Sequence, residues 1–283
     1  MGLIDLILNI AGVLLWLSWR SIRLDALTRA TPATLAGTLR RAEPSRVRRW
    51  HFLFAIAALV VIRALFYWQI GPATEWTPKL DLAVISLAFR ANSFQHELVF
   101  STLSLLRALL VFYFWLLTLA IIHRNELNPN SFQKMLFLHL GRVARWPVVV
   151  QAIVPFLAVA ISWLIFYPLL AHLGVINWAQ SKAHVFEQSC LVGLGIYLTL
   201  KYLLPVFLFL HLITSYVFLG AGPFWDFITS TSRTILKPLR PLRFGKIDFA
   251  PVIGIVLIAL LLHTAPEFLR ATLMKSNVTL WPH

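Results

Sequence analysis

The chain has 283 residues, 59% hydrophobic and only 13% charged, with a mean hydropathy of +0.77 and a formal net charge of +14. Soluble domains carry about 25% charged residues, so this chain cannot clothe a water-facing surface of ordinary polarity, and a soluble enzyme or soluble nucleic-acid-binding domain is excluded. The single cysteine, Cys190, excludes an internal disulfide and a cysteine-based zinc site, and reads as a small buried hydrophobe.

Six apolar runs are long enough to cross about 30 Å of hydrocarbon, at 3–19, 52–70, 98–122, 148–171, 189–219 and 249–265. The first follows Met1 with no basic segment before it and no small-residue cleavage site after it, so it is expected to be retained as a span. The fifth is over-long and carries Gly193, Gly195 and Pro205, where a tilt or kink is expected. No run alternates as a membrane β-strand would.

Cations set the expected orientation. Eight Lys and Arg fall in 20–49, four in 123–147 and five in 220–248, whereas 71–97 holds only Lys79 and Arg90, and 172–188 only Lys182. Alternating rich and poor connections predict six spans, with the basic loops cytoplasmic and both termini outside. Trp19, Trp50 and Trp146 mark the basic ends of the runs, and Trp68, Trp178 and Trp281 the other ends, as interfacial belts do.

Sliding 39–61 onto 236–258 without a gap aligns Leu39, Pro44, Arg46, Phe52 and Ile56 with Leu236, Pro241, Arg243, Phe249 and Ile253. Arg40, Arg46 and Arg49 then face Lys237, Arg243 and Lys246, and in the middle third Arg142 and Arg145 precede Pro155 much as Lys237 and Arg240 precede Pro251. The expected fold class is therefore an all-α polytopic membrane protein of six helices in three helix–basic loop–helix units. The expected divisions are an N-terminal helix pair at 1–95, a second unit at 96–186 and a third at 187–283.

Two stretches read as amphipathic helices leading into the basic segments: 131–147, with Phe132, Met135, Leu136, His139 and Val143 in register, and 223–236, with Phe224, Phe227, Ile228, Thr231 and Ile235. Each either lies on the membrane or packs on its own bundle. Lys237, Arg240, Arg243 and Lys246 follow at three-residue intervals among Pro238 and Pro241, which predicts an extended polyproline ribbon charged along one edge.

Within the runs, Arg63, Arg107 and Lys201 are cations at depth, and Asn9 occupies the comparable position of the first unit, close to Asp5. Charges there face a bundle interior, a partner or water. They either snorkel outward, pair between helices with an acid such as Asp5 or Glu97, or line a coordination or permeation site. Nine histidines form no H-E-x-x-H, and no Walker loop, dinucleotide fingerprint or nucleophile elbow occurs. No catalytic residue, metal site or cofactor is expected, and haem between His211 and His263 is a remote reading.

The stretch "LKPLRPLRFGKIDFAP" resembles the YggT family of small bacterial membrane proteins, whose pattern is a Pro–Arg-rich run, a glycine turn and Ile-Asp-Phe-Ser-Pro opening an apolar helix. Pro238, Arg240, Pro241, Gly245, Ile247, Asp248, Phe249 and Pro251 stand at matching positions, with Ala250 in place of the serine and Thr234 where a proline is common. The match covers about 222–265, 98–170 resembles the degenerate first copy of double-unit members, and 1–95 has no counterpart. The resemblance implies a multi-pass protein of the bacterial inner membrane that is not an enzyme, in a family associated with osmotic or ion-stress tolerance, with cell-division gene neighbourhoods and, in plastids, with nucleoid distribution and cytochrome assembly.

Asp248 either clamps Lys246 or Arg243 and caps the last helix, with Pro251 in its first turn, or binds a ligand cation. The first functional expectation is a membrane scaffold or assembly factor. Its cations at 40, 46, 49, 142, 145, 237, 240, 243 and 246 would engage anionic phospholipid, with a membrane-protein partner or a second copy as runner-up and nucleic acid last. The alternative is a small transporter or channel for ion or osmotic homeostasis using Arg107 and Lys201.

Overall fold

In a computed structural model, the protein is described over residues 2–28, 49–72, 77–90, 93–126, 130–179, 181–217, 220, 222–244, 247–248 and 250–275. It is 83% helical. The helices are α1 (Gly2–Thr28), α2 (Arg49–Ile70), α3 (Phe94–Ile122), α4 (Ser131–Leu140), α5 (Val148–His172), α6 (Lys182–Leu198), α7 (Leu200–Tyr216), α8 (Pro223–Ile235) and α9 (Ala250–Lys275). Apolar runs must satisfy their backbone internally to enter lipid, which a helix does along its whole length. Among the described residues, five helical stretches are long and apolar enough to cross a membrane: Gly2–Ser21, Trp50–Ile70, Phe94–Ile122, Val148–His172 and Lys182–Tyr216. The apolar part of α9, Ala250–Ala265, is shorter than these.

The chain divides into two compact units. One is Met1–Leu80 with Ala88–Leu109, and the other is Asp81–Leu87 with Leu110–His283. In the first unit α1 packs along α2. Gly12 of α1 lies so close to Leu105 of α3 that a Cβ there would clash with the leucine Cδ1.

In the second unit α5 packs on α6, and α7 on α9 and α8. One of its cores joins Leu117 and Ala120 of α3, Leu136 and Leu140 of α4, Leu203 and Phe207 of α7, and Phe227 and Ile228 of α8. A smaller core of Leu208, Leu236 and Ala250 seats the start of α9, where Gly254 lets the helix approach the side chains of Leu236 and Leu208. Leu82 and Gly195 also belong to this unit. A Cβ on Gly195 would meet the Leu82 carbonyl oxygen at 2.6 Å.

Three local features differ from expectation. The over-long fifth run is two helices meeting at Thr199, where Thr199 N donates to Ile196 O and Tyr202 N to Thr199 O, both at 3.1 Å. These three-residue bonds tighten the backbone there, so the break expected in this run from Gly193, Gly195 and Pro205 falls between the glycines and the proline. The basic run is not a polyproline ribbon: Lys237–Leu242 is a 3-10 helix, followed by β3 (Arg243–Phe244) paired antiparallel with β4 (Ile247–Asp248). Proline φ suits both forms, and the bond from Leu239 N to Leu236 O, 2.9 Å, fits the tighter winding. Between α2 and α3 a short hairpin, β1 (Lys79–Asp81) with β2 (Ser86–Ala88), forms where only a connection was expected.

The amphipathic stretches are helical, and α8 turns Phe227, Ile228, Thr231 and Ser232 into the bundle. In α4 the buried set is Gln133, Leu136, His139 and Leu140, one position around from the expected face, so Phe132 and Met135 are exposed. Both helices pack on their own bundle.

Candidate functional site

The first unit holds a polar cluster inside its apolar helices. A spacing of four residues puts side chains on one helix face, so α1 presents Asp5 with Asn9 and α2 presents Arg63 with Tyr67. On α3 the spacing 97, 101, 104 lines up Glu97, Ser101 and Ser104, all buried. Arg63, only 1% exposed, donates through Nη2 to Asp5 Oδ1 at 2.6 Å and to Ser104 Oγ at 3.0 Å, and through Nη1 to Asn9 Oδ1 at 2.9 Å. Asn9 Nδ2 donates to Ser104 Oγ at 3.0 Å, and the Tyr67 hydroxyl donates to the same Asp5 oxygen as Arg63. The guanidinium also lies over Phe100 and Tyr67, 5.3 and 5.7 Å from their ring centres.

Glu97 stands apart within this cluster. It is fully buried, feels the charges of Asp5 and Arg63, and has no hydrogen-bond partner on either carboxyl oxygen. Arg63 Nε is likewise buried without a partner. Ser101, one turn along, donates to Val60 O at 3.0 Å.

The second unit carries another polar network where α3 ends. His123 Nε2 meets Thr231 Oγ1 at 2.7 Å, its Nδ1 meets Gln133 Nε2 at 2.9 Å, and the same Nδ1 lies 3.1 Å from Glu126 Oε1. Gln133 and Ser230 both donate to Glu126, and Gln133 also receives the Asn130 N–H in a capping box at the start of α4, 2.6 Å. Partial burial pushes the Glu126 carboxyl up, but the bonds from Ser230, His123 and Gln133 favour the ionised form more and hold it below the usual glutamate range. Beside it opens a cavity of about 660 Å³ between the end of α3 and the polar face of α8, with Asp226, Arg233 and Lys237 among its lining residues.

The structure brings together Asn9 and Arg63 among the predicted intramembrane groups. Arg107 is a half-buried residue of the first unit, and Lys201 belongs to the second, its Nζ 5.1 Å from the Tyr202 ring centre. Arg142 and Arg145 are exposed on a 3-10 turn, Gly141–Arg145, after α4. Lys237 is exposed at the start of the second 3-10 helix, which also contains Pro238, Arg240 and Pro241. Arg243 in β3 pairs with Asp248 in β4, and Pro251 is the second residue of α9. Arg49 opens α2, while Arg40, Arg46, Gly245 and Lys246 lie outside the described residues. Among the described residues no group of three His, Cys, Asp or Glu is arranged to hold a metal ion.

Sequence reading missed the serines and the whole His123 network. Glu97-x-x-x-Ser101-x-x-Ser104 is a polar stripe at helical spacing within an apolar run, and its period was available as a signal. His123 and Thr231 are 108 residues apart, and no local pattern links them. Comparison with known proteins found no matching family model, no similar curated protein and no similar solved structure.

Proposed function

We propose that this chain is a non-enzymatic scaffold or assembly factor of the YggT type in the bacterial inner membrane, with six spans, its basic connections on the cytoplasmic side and both termini outside. The observation that carries this reading is the basic surface of the second unit. Arg124, Lys134, Arg142, Arg145, Arg233 and Lys237 are all exposed on the short elements that link the apolar helices. Exposed Phe132, Trp146 and Phe224 accompany them, with Phe132 and Phe224 in edge contact at 5.6 Å. Cations beside aromatic rings suit the headgroup layer of an anionic leaflet, where each Lys or Arg contributes about 1 kcal/mol of attraction. Since α4 and α8 bury Leu136, Leu140, Phe227 and Ile228 in the bundle, packing positions this surface while Phe132 and Phe224 stay exposed. A rigid cationic platform recruits lipid or an acidic partner, which is what organising a membrane assembly requires. The three-unit repeat and the matching roles of positions 40, 46, 49, 240, 243 and 246 belong to the same proposal.

The test is lipid retention. Replacing Arg142, Arg145, Arg233 and Lys237 together by Gln should lower several-fold the phosphatidylglycerol that co-purifies in mild detergent, as read by native mass spectrometry, and leave phosphatidylethanolamine unchanged. Equal retention of phosphatidylglycerol by the folded variant overturns the lipid reading. A stoichiometric protein captured by the wild type and lost from the variant replaces lipid with a membrane-protein partner.

A further inference from the structure

The buried cluster of the first unit is not electrically balanced. Among the described residues it holds two carboxyl groups, Asp5 and Glu97, and one guanidinium, Arg63, a formal surplus of one negative charge. The guanidinium donates to Asp5, Asn9 and Ser104. Tyr67 spends its proton on Asp5. Nothing on the neighbouring helices donates to Glu97, although it is fully buried.

A buried carboxylate without a partner is costly in any protein interior and more so at membrane depth. A structural carboxyl placed to join helices would be expected to accept from one of the donors nearby. Glu97 accepts from none, so its two free oxygens point to something that arrives from outside the chain.

We propose that Glu97 is the binding site for one small monovalent cation, a proton or an alkali-metal ion, which balances the surplus charge of the Asp5–Arg63 cluster. The charge count selects the ligand class: a divalent ion would leave the cluster positive, and Arg63 opposes it. The charged groups that act on Glu97 from the packed helices are Asp5 of α1 and Arg63 of α2; Tyr67 donates to Asp5, and His96 precedes Glu97 on α3. The route is short. Glu97 is in the first turn of α3, about 5 Å along the axis from the helix start, and Ser101 and Ser104 continue the polar stripe inward from it. The site is independent of the basic surface on the other unit, and either reading stands if the other fails.

The two cations are separated by two titrations of the full-length protein in lipid nanodiscs, with thermal unfolding followed by tryptophan fluorescence. In one, sodium or potassium chloride replaces N-methylglucamine chloride at constant ionic strength. In the other, pH is lowered from mildly alkaline to mildly acid in N-methylglucamine alone. The wild type should gain melting temperature in one series, which identifies the ion. Glu97→Gln, neutral and of the same shape, should be flat in that series and lie near the cation-saturated wild type. Glu97→Asp, which keeps the charge, should retain the dependence with its midpoint displaced several-fold. Equal slopes for the wild type and Glu97→Gln in both series overturn the proposal. So does a wild type indifferent to both ions, which requires no variant to fold.

Discussion

Arg63 is the residue on which the first unit's polar contacts converge, and its worth is best measured by breaking them unevenly. Arg63→Met leaves the Asp5 carboxylate without its cation, still accepting from the Tyr67 hydroxyl, and loss of one partner of a buried ion pair costs about 3–5 kcal/mol. Asp5→Asn in the same chain should recover more than half of that loss, a non-additivity that a double-mutant cycle of melting temperatures will read. Glu126 presents the opposite case, an anion held by donors outside the spans. Its carboxyl titrates below the unfolded value, so the stability it contributes is complete above the ordinary glutamate range and is lost as pH falls through the depressed folded value. Glu126→Gln should therefore lower the melting temperature at neutral pH, and the gap from the wild type should close as the solution is made acid.

Helix contacts in this protein turn on glycine where two backbones approach. Gly193 would place a Cβ 2.9 Å from the Phe156 ring and 3.1 Å from its carbonyl oxygen, whereas Gly195 would place one 2.6 Å from the Leu82 carbonyl. A ring can swing aside and a hairpin carbonyl must be displaced with its strand, so Gly195→Ala should cost more than Gly193→Ala, about 1–3 kcal/mol, as thermal unfolding in detergent will show. Elements of this kind divide by how far the sequence announces them. Apolar runs near twenty residues name a spanning helix directly, because length and hydropathy are properties of the run alone. Proline at 238 and 241 was ambiguous for a physical reason: its ring fixes φ, and ψ, which separates polyproline from 3-10 winding, depends on bonds such as Leu239 to Leu236. Thr199 gave no warning either, since the contact that singles it out, the Trp115 indole donating to its hydroxyl at 3.2 Å, comes from 84 residues away. In the candidate sites, Asn9 and Arg63 were legible as polar groups in greasy runs. Gln133 and Ser230 were not, because each looks like an ordinary helix-surface residue until its partner is in place.

For the whole molecule the testable quantity is sidedness. In a Cys190→Ser background, single cysteines at Arg46, Arg145 and Arg243 should react with a membrane-impermeant maleimide only after the inner membrane is opened. A cysteine at Lys182 should react in intact spheroplasts, and labelling of Arg46 and Arg243 from opposite faces would dismantle the six-span arrangement. The joined rod of α6 and α7 adds a consequence of its own. Its 35 residues would reach about 52 Å if wound as one straight helix, against roughly 30 Å of hydrocarbon, more than a single upright crossing needs. Lys182, His184 and Glu187 crowd its first two turns, which makes that end the one that emerges. Under the proposed orientation, an antibody or protease aimed at residues 181–188 should reach that end from the outer side of the bilayer.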